Sequence, residues 1–435
     1  MQIITLGMLS KGFSMVARIL MTRSIGLEGM ALYTLANPAM VLVITLGQLG
    51  LPVAIATLIS KHKEKSKKIF LGGLIISLII SIALMLLITS LAPILSKNIL
   101  KNEDVTLTIR GLALLVPLVS ISSLLKGYFI GHNLVKMTAR SSIAEEMARI
   151  VFIVFFLDHF RKISPSYASF GAIIGVCVGE VFQSLYLLFE SNKKLYTKAS
   201  EILNFKDIKP LEEIPEILTL SIPITLGKII GSLTYFLEPI VITNLMIKSG
   251  YSSSFIANEY GIFSGYAMPI LLLPGFFSLA FSNYLLPILT KSISESNFSK
   301  AKKQFLGVLF LSVFVGFSVA VIFYFNSELI TKLLYKTTSG STYLKALAFP
   351  FILYYLESPL NVAMHAFGLT KQAFFTTTIS CVVRIITLVI FTPFYGIKAI
   401  PISTLLEITI IIVLNGYHIL KSFLRNNIKA IIISK

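Results

Sequence analysis

Basic side chains lie inside apolar segments at matching places in the two halves of this 435-residue sequence. Lys11 and Lys228 stand in the first apolar segment of each half, and Arg149 and Arg384 stand in a later one. A cation at bilayer depth costs about 2.5–3.5 kcal/mol on insertion scales, so it usually faces a polar interior, a partner or a solute path. A guanidinium also binds phosphate with two parallel hydrogen bonds. These residues indicate a polar pathway suited to an anion.

The two arginines differ in their neighbours. Arg149 follows Glu145 and Glu146 at helical spacing, which permits ion pairs within one helix. Arg384 has no acid in its own segment, so we expect its partner to come from another helix or from the solute. Arg18 lies seven residues after Lys11, so both project from nearly the same helix face. Arg18 either extends a cationic stripe or reaches the membrane interface.

Single acids lie in other apolar segments and are candidates for binding a coupling ion, H⁺ or Na⁺. These candidates are Glu180, Glu238, Glu357 and Glu407. Pro239 follows Glu238 and predicts a helix kink with a freed backbone carbonyl. The alternative is that these acids neutralise the buried bases.

The composition is that of a membrane protein. The chain is 55% hydrophobic and 13% charged, whereas soluble domains carry about 25% charged residues. The formal net charge is +18, but the bases lie in short loops between apolar runs, which fits an anionic bilayer surface better than a nucleic acid. Cys177 and Cys381 fall inside predicted helices and are expected to be core residues. We therefore expect a multi-pass protein with no nucleic-acid partner.

A membrane span needs roughly 20 mostly apolar residues. Twelve spans are predicted, at about 3–22, 33–59, 70–95, 111–131, 141–158, 166–189, 216–246, 260–289, 304–325, 343–368, 373–394 and 397–420. With both termini in the cytoplasm, 21 Lys and Arg residues are cytoplasmic and 11 external, if Lys345 and Lys398 at span ends count as external. This bias favours that orientation.

Short motifs recur in the second half at a nearly constant offset. KKIFLGGL at 67–74 returns as KKQFLGVL at 302–309, and Arg149-Ile150 returns as Arg384-Ile385, each 235 residues later. Such matches, in order, indicate duplication of a six-helix unit. We predict an all-α protein with two six-helix lobes related by a pseudo-two-fold axis along the membrane normal, and a central cavity between them.

The predicted organisation follows from the repeat and the charged midpoint segment. It consists of an N-terminal lobe at 1–195, a cytoplasmic linker at 196–210, a C-terminal lobe at 211–425 and a cytoplasmic tail at 426–435.

Longer stretches resemble a known family. ARILMTRSIGLEGMALYTLANP at 17–38, LGQLGLPVAIATLISK at 46–61 and SLLKGYFIGHN at 123–133 are similar to the first lobe of oligosaccharide flippases of the MOP superfamily, in particular the stage V sporulation protein B and MurJ-type lipid II flippases. The segment at 260–293 resembles the start of that family's second lobe. Many members have fourteen helices, against the twelve predicted here.

The resemblance implies a MOP/MATE-like flippase that moves a polyprenyl-pyrophosphate-linked oligosaccharide or peptidoglycan precursor across the bacterial cytoplasmic membrane by alternating access. The expected partners are this lipid-linked anionic saccharide, the bilayer and a coupling Na⁺ or H⁺. The expected substrate ligands in the cavity are Arg384, Arg149, Lys11, Lys228 and Arg18.

Two other function classes are the alternatives. A cation-coupled multidrug exporter of MATE type is the alternative, but it needs an acid-rich, base-poor cavity, whereas the predicted spans here, away from their ends, hold six bases and six acids. A membrane enzyme needs clustered catalytic groups outside the bilayer, and the external loops hold only scattered acids. No nucleotide motif, cofactor site or metal-ligand spacing is found in the sequence, so neither catalysis nor a cofactor is expected.

Overall fold

The protein is all-α and polytopic in the computed structural model, as the sequence predicts. The structure describes residues 2–194 and 210–433, and their side chains from 5 to 191 and from 211 to 425. By packing, the chain forms two compact units, each of which is described by itself.

The first unit contains residues 1–244 and 252–261. Its helices are α1 (Gln2–Gln48), α2 (Leu51–Lys61), α3 (Ser66–Ile94), α4 (Thr106–Gly131), α5 (Val135–Ile163), α6 (Pro165–Lys194), most of α7 (Ile214–Lys248) and α8 (Ser253–Gly261). Its core lies between α2, α3 and α4, where Ile55, Phe70 and Phe129 are almost completely buried. Close approach of α2 and α4 depends on Gly127, because a Cβ there would lie 2.5 Å from the carbonyl oxygen of Pro52.

The second unit contains residues 245–251 and 262–435. Its helices are α9 (Met268–Leu272), α10 (Gly275–Ser294), α11 (Phe298–Tyr335), α12 (Ser341–Leu347), α13 (Tyr354–Ala366), α14 (Thr370–Tyr395) and α15 (Ala399–Ile433). Its core joins α10, α11, α13 and α15 through Leu289, Phe305, Met364 and Ile419. Gly316 lets α11 approach α13, since a Cβ there would lie 2.5 Å from the Tyr355 ring.

Each predicted span is mostly helical in the described residues, although some contain a break. Seven helical stretches are long and apolar enough to cross a membrane, or eight when the bent pair Ser253–Leu272 and Gly275–Ser294 counts as one span. Two of these, Thr5–Lys61 and Thr370–Arg425, hold 57 and 56 residues, more than twice the roughly 20 that one crossing needs. Each therefore contains two predicted spans. The remaining two predicted spans, 141–158 and 343–368, correspond to the charged α5 and to the interrupted α12–α13 segment.

The boundaries of the first two spans differ from those predicted. Helix α1 continues through the expected loop after residue 22, with one break at Gly26, whose φ of 71° favours glycine. The next break falls inside the predicted span 33–59, at Leu49 and Gly50, which both have positive φ. Pro52 then stands in the first turn of α2, where its missing N–H is tolerated. The local backbone, not the apolar run, sets these ends.

Helix α7 packs on the first unit, although it was predicted to open the C-terminal lobe. Ile217 belongs to the first core, and the side-chain amide of Asn244 donates to the carbonyl oxygen of Ile99 at 2.8 Å. Lys65 forms an ion pair with Glu213 just before α7, at 3.3 Å. The packing boundary therefore lies near residue 245. The predicted linker at 196–210 falls almost wholly outside the described residues, so the lobe boundary based on the repeat stays a prediction.

We predict that the loop between α2 and α3 faces the cytoplasm and that the loop between α11 and α12 faces outward. Lys63 and Thr338 are exposed in these loops, while the two native cysteines are buried. In intact cells, a membrane-impermeant maleimide should label Thr338→Cys and spare Lys63→Cys until the cells are permeabilised. The reverse pattern would contradict the orientation derived from the basic loops.

Candidate functional site

Arg149 sits in a polar cluster formed by α4, α5 and α6 of the first unit. Its Nη2 lies 2.8 Å from Oε1 of Glu145, and its Nη1 lies 3.1 Å from Oε2 of Glu146. The intrahelical pairing expected from the spacing is confirmed. Both terminal nitrogens of this guanidinium are therefore committed to carboxylates, while its Nε is buried and has no hydrogen-bond partner among the described residues.

Glu145 is the centre of this cluster. Besides Arg149, it receives a hydrogen bond from Nε2 of Gln183 on α6, at 2.5 Å from its Oε2. The ammonium of Lys126 on α4 lies 3.8 Å from the same Oε2. One carboxylate thus holds three helices together through two basic groups and one amide.

Glu180 completes the cluster from α6. Its carboxylate accepts a hydrogen bond from the hydroxyl of Ser122 on α4, and the charges of Glu145, Lys126 and Arg149 act on it. The group formed by Lys126, Glu145, Glu146, Arg149, Glu180 and Gln183 is called the first polar cluster. Three acids and two bases lie within it, so a candidate ion-coupling acid stands beside a candidate substrate ligand.

Three other bases predicted for the site lie in the first unit, Lys11 and Arg18 on α1 and Lys228 on α7. Lys11 is exposed on α1, and its charge acts on Glu146, which also hydrogen bonds with Ser14. The guanidinium carbon of Arg18 lies 5.2 Å from the centroid of the Tyr33 ring, in a cation–π contact. Lys228 is exposed on α7. Lys11 therefore adjoins the first polar cluster. Among the described residues, no contact joins Lys228 to this cluster.

Arg384 in the second unit forms an ion pair between helices. Its Nη1 on α14 lies 2.8 Å from Oε2 of Glu407 on α15, and their side chains are only 16% and 14% exposed. The thiol of Cys381 lies 3.8 Å from the other carboxylate oxygen. Of the two partners that the sequence left open for Arg384, the structure thus shows the one from another helix.

Glu357 is linked to two side-chain amides in the second unit, those of Asn361 and Asn415. It hydrogen bonds with Asn361 one turn later on α13. Asn361 Oδ1 accepts from Nδ2 of Asn415 on α15 at 2.9 Å. Asn415 is 1% exposed, and its Oδ1 has no hydrogen-bond partner among the described residues. The second polar cluster, Glu357, Asn361, Arg384, Glu407 and Asn415, therefore contains a buried acceptor that is left unsatisfied.

The two clusters occupy corresponding helices. Asn133 and Gly368 both adopt positive φ after α4 and α13 and lie 235 residues apart, as Arg149 and Arg384 do. The same offset relates Ser122 to Glu357, Lys126 to Asn361, and Glu180 to Asn415. The helix triplets α4–α6 and α13–α15 thus both contain the arginine. The corresponding acid stands on α6 in the first triplet, as Glu180, and on α13 in the second, as Glu357. Lys126 of the first triplet corresponds to the amide Asn361 of the second.

Glu238 lies in a different environment within the first unit. Its side chain is buried, at 2% exposure, and it accepts a hydrogen bond from the Tyr260 hydroxyl on α8 at 2.9 Å. Three residues earlier on α7, the Tyr235 hydroxyl accepts from the amide of Asn37 at 3.1 Å. Glu238 therefore helps to attach α7 and α8, apart from the first polar cluster.

Sequence reasoning missed Lys126, Gln183, Asn361 and Asn415. Lys126 was visible inside the predicted span 111–131, and the offset of 235 from it leads directly to Asn361. The other two could not be ranked, because single amides in apolar helices are common polar contacts. In the described part of the chain, no group of three or more His, Cys, Asp or Glu residues could hold a metal ion.

Comparisons with known proteins agree with this fold. The chain is 28% identical over 390 residues to Stage V sporulation protein B of Bacillus subtilis (strain 168), covering 88% of this chain and 75% of that protein. It is 24% identical over 329 residues to Lipid II flippase MurJ of the same organism, covering 69% and 59% respectively.

Among solved structures, the inward-facing conformation of a multidrug resistance MATE family transporter of the MOP superfamily gives a TM-score of 0.76 at 16% identity, covering 98% of each chain. The outward-facing conformation of such a transporter gives 0.64 at 15% identity, covering 98% of this chain and 94% of the other. These structures establish the fold alone. The family profile described as polysaccharide biosynthesis protein matches residues 1–293, which is more than half of the sequence. This chain belongs to the polysaccharide biosynthesis protein family.

Proposed function

We propose that this protein is a flippase that moves a polyprenyl-pyrophosphate-linked oligosaccharide or peptidoglycan precursor across the bacterial cytoplasmic membrane. It works by alternating access, with both termini in the cytoplasm and no catalytic step. Family membership supports transport of a saccharide precursor. The name of the relative MurJ specifies lipid II as that protein's substrate, and the name of the other relative refers to sporulation.

The observation that carries the proposal is the retained arginine in corresponding helix triplets. Arg149 and Arg384 lie in predicted membrane spans and are only 18% and 16% exposed, and at bilayer depth an arginine is costly unless it is paired or functional. A pyrophosphate group is anionic, and a planar guanidinium such as that of Arg384 binds it well. Lys126 and Arg149 would repel a cationic drug from the first polar cluster, although three acids lie beside them. The bases therefore favour the flippase over a MATE-type multidrug exporter, although the fold is shared.

We propose Glu357 as the site of ion coupling in the second unit. Na⁺ prefers oxygen ligands, and Glu357 is linked through Asn361 to Asn415, whose Oδ1 is buried and unsatisfied among the described residues. Glu407 is already engaged by Arg384, and Glu238 by Tyr260. Glu180, bonded to Ser122, is the corresponding candidate for H⁺ in the first unit.

The direct test of the function is flipping in proteoliposomes. Purified protein should move fluorescent lipid-linked pyrophosphate sugars between leaflets, in a panel that varies the sugar and keeps the polyprenyl pyrophosphate. Cationic multidrug-exporter substrates serve as the comparison. Transport of these cations without transport of any lipid-linked sugar would favour the alternative function.

Arg384 is predicted to act in transport beyond its ion pair. Arg384→Ala should reduce flipping by at least about tenfold, and Arg384→Lys should reduce it less, because charge is kept while the planar fork is lost. Since removing one partner of a buried pair costs about 3–5 kcal/mol, stability must be measured alongside. A thiol-reactive dye can follow thermal unfolding through the buried Cys177 and Cys381.

A matched set of variants separates transport from packing. Glu407→Gln should lower the unfolding temperature as Arg384→Ala does, whereas Arg384→Met combined with Glu407→Leu should recover stability but not flipping. Asp158→Asn, which opens an exposed pair with Lys162, is the control and should change neither. Normal flipping by stable Arg384→Met/Glu407→Leu protein would show that the arginine has a packing role only.

Glu357 is predicted to make flipping depend on the coupling ion. Glu357→Gln keeps the hydrogen bond to Asn361 but removes the charge that attracts a cation. Flipping should then lose its dependence on a Na⁺ or H⁺ gradient, while unfolding temperature changes little. The control is Glu238→Gln at a buried acid outside both clusters. Retention of full gradient dependence by Glu357→Gln would reject this coupling site.

A further inference from the structure

We propose that Lys126 is the residue of the first polar cluster that binds the phosphate-bearing headgroup, and that Arg149 and Gln183 are positioning residues. The inference rests on the proposed flippase function. It identifies one ligand for the anionic part of the substrate, a pyrophosphate linked to a lipid. It also separates the base that contacts substrate from the base that holds the cluster together.

The bonding of Glu145 and Glu146 distinguishes the two bases. Arg149 engages both carboxylates, at 2.8 and 3.1 Å, so its departure toward a substrate would leave two acids without their base. Such orphaned charges are strongly destabilising inside a protein. Arg149 is therefore committed in the cluster.

Lys126 is held much less firmly. Its Nζ lies 3.8 Å from Oε2 of Glu145, beyond hydrogen-bond distance. That oxygen is already bonded to Gln183, and the other oxygen is bonded to Arg149. Glu145 consequently keeps its bonds to Gln183 and Arg149 when Lys126 moves toward a second anion.

Exposure points in the same direction. The Lys126 side chain is 30% exposed, against 18% for Arg149 and 12% for Glu145. A lysine ammonium sits on a flexible four-carbon stem and keeps its hydration more readily than a buried guanidinium fork. Lys126 is thus the base of this cluster that an incoming solute meets.

The second unit shows that the helix packing itself does not need this base. At the position corresponding to Lys126 stands Asn361, which bonds with Glu357 and Asn415 and carries no charge. Both helix triplets nevertheless retain the arginine. A lysine kept only in the first triplet therefore serves something other than the shared frame.

The neighbouring acid suits a transport site. Glu145 attracts Lys126 in the absence of substrate and competes with the phosphate when substrate is bound. A site of this kind binds the anion without holding it too tightly to release, as a transport pathway requires. Arg149 and Gln183 keep Glu145 in place to do so.

The experiment measures flipping and binding by Lys126→Gln and Lys126→Arg proteins in phosphatidylcholine vesicles. Probes are a lipid-linked pyrophosphate sugar and the same lipid as a monophosphate. Lys126→Gln should raise the half-saturating concentration of the pyrophosphate probe about tenfold or more, and should reduce the preference for pyrophosphate over monophosphate. Lys126→Arg should keep most of both. Lys162→Gln at an exposed lysine is the control and should match wild type.

Lys126→Asn, which copies the residue of the second unit, provides a second variant in case Lys126→Gln unfolds. The cysteine-dye unfolding temperature should stay near that of wild type for either. Wild-type protein that flips no lipid-linked sugar would refute the proposed function, whereas normal affinity in stable Lys126→Gln or Lys126→Asn protein would refute this inference alone.

A final arm distinguishes the substrate's phosphate from that of bilayer lipids. Adding phosphatidylglycerol to the vesicles should leave the difference between wild type and Lys126→Gln unchanged. If that difference appears only with phosphatidylglycerol present, Lys126 binds bilayer headgroups and the assignment to substrate is overturned.

Discussion

Pairing of an arginine within a predicted membrane span is the constraint on which each half of this molecule depends. A guanidinium cannot be left uncompensated at bilayer depth, and the two units meet that demand in different ways. Arg149 pairs with two acids of its own helix, Glu145 and Glu146, whereas Arg384 reaches across to Glu407 on the next helix. In the first unit, Arg149 and both of its acids lie on α5, so α4 and α6 are joined to α5 by other contacts, those of Lys126 and Gln183 with Glu145. In the second unit the pairing itself joins α14 to α15. The same chemical demand therefore produces ion pairs within one helix in the first unit and an ion pair between two helices in the second.

The corresponding helix triplets show how a duplicated frame can acquire two different sites. The arginine and the break after the first helix of each triplet recur at a spacing of 235 residues, while the surrounding polar residues have diverged. Glu180 in the first triplet corresponds to Asn415 in the second, and Ser122 corresponds to Glu357. In both triplets a hydrogen bond joins the first helix to the third. The acid, however, stands on the third helix in the first triplet and on the first helix in the second triplet. The frame thus fixes where polar groups meet, and the residue types decide whether the result attracts an anion or a cation.

The sequence predicted the elements well, because apolar length and basic loops are determined locally along the chain. The pairing of Arg149 was equally accessible, since helical spacing alone brings Glu145 and Glu146 within reach. Glu407 could be recognised as a buried acid, but its partner could not be chosen, because the contact depends on the rotation of α14 against α15. The breaks at Gly26 and Gly50 were missed for another reason. Hydropathy averages over a span, whereas a single residue with positive φ ends or redirects a helix without changing that average.

Pairing strength also explains why a charged residue is not automatically a ligand. The residues that the sequence marks most clearly, the arginines, are those most firmly bound by acids, because unpaired they would destabilise the fold. Lys126 was not predicted as a ligand from the sequence. It is the base of the first polar cluster that lies farther from its acid, at 3.8 Å from Glu145. A transport site needs a charge that can change partners, and a network in which one base is held less firmly than the other meets that need. Here Arg149 pairs with Glu145 and Glu146, and Gln183 donates a hydrogen bond to Glu145. The ammonium of Lys126 can then exchange partners. The ability to exchange partners therefore arises from the arrangement of the whole cluster and not from the charge of any single member.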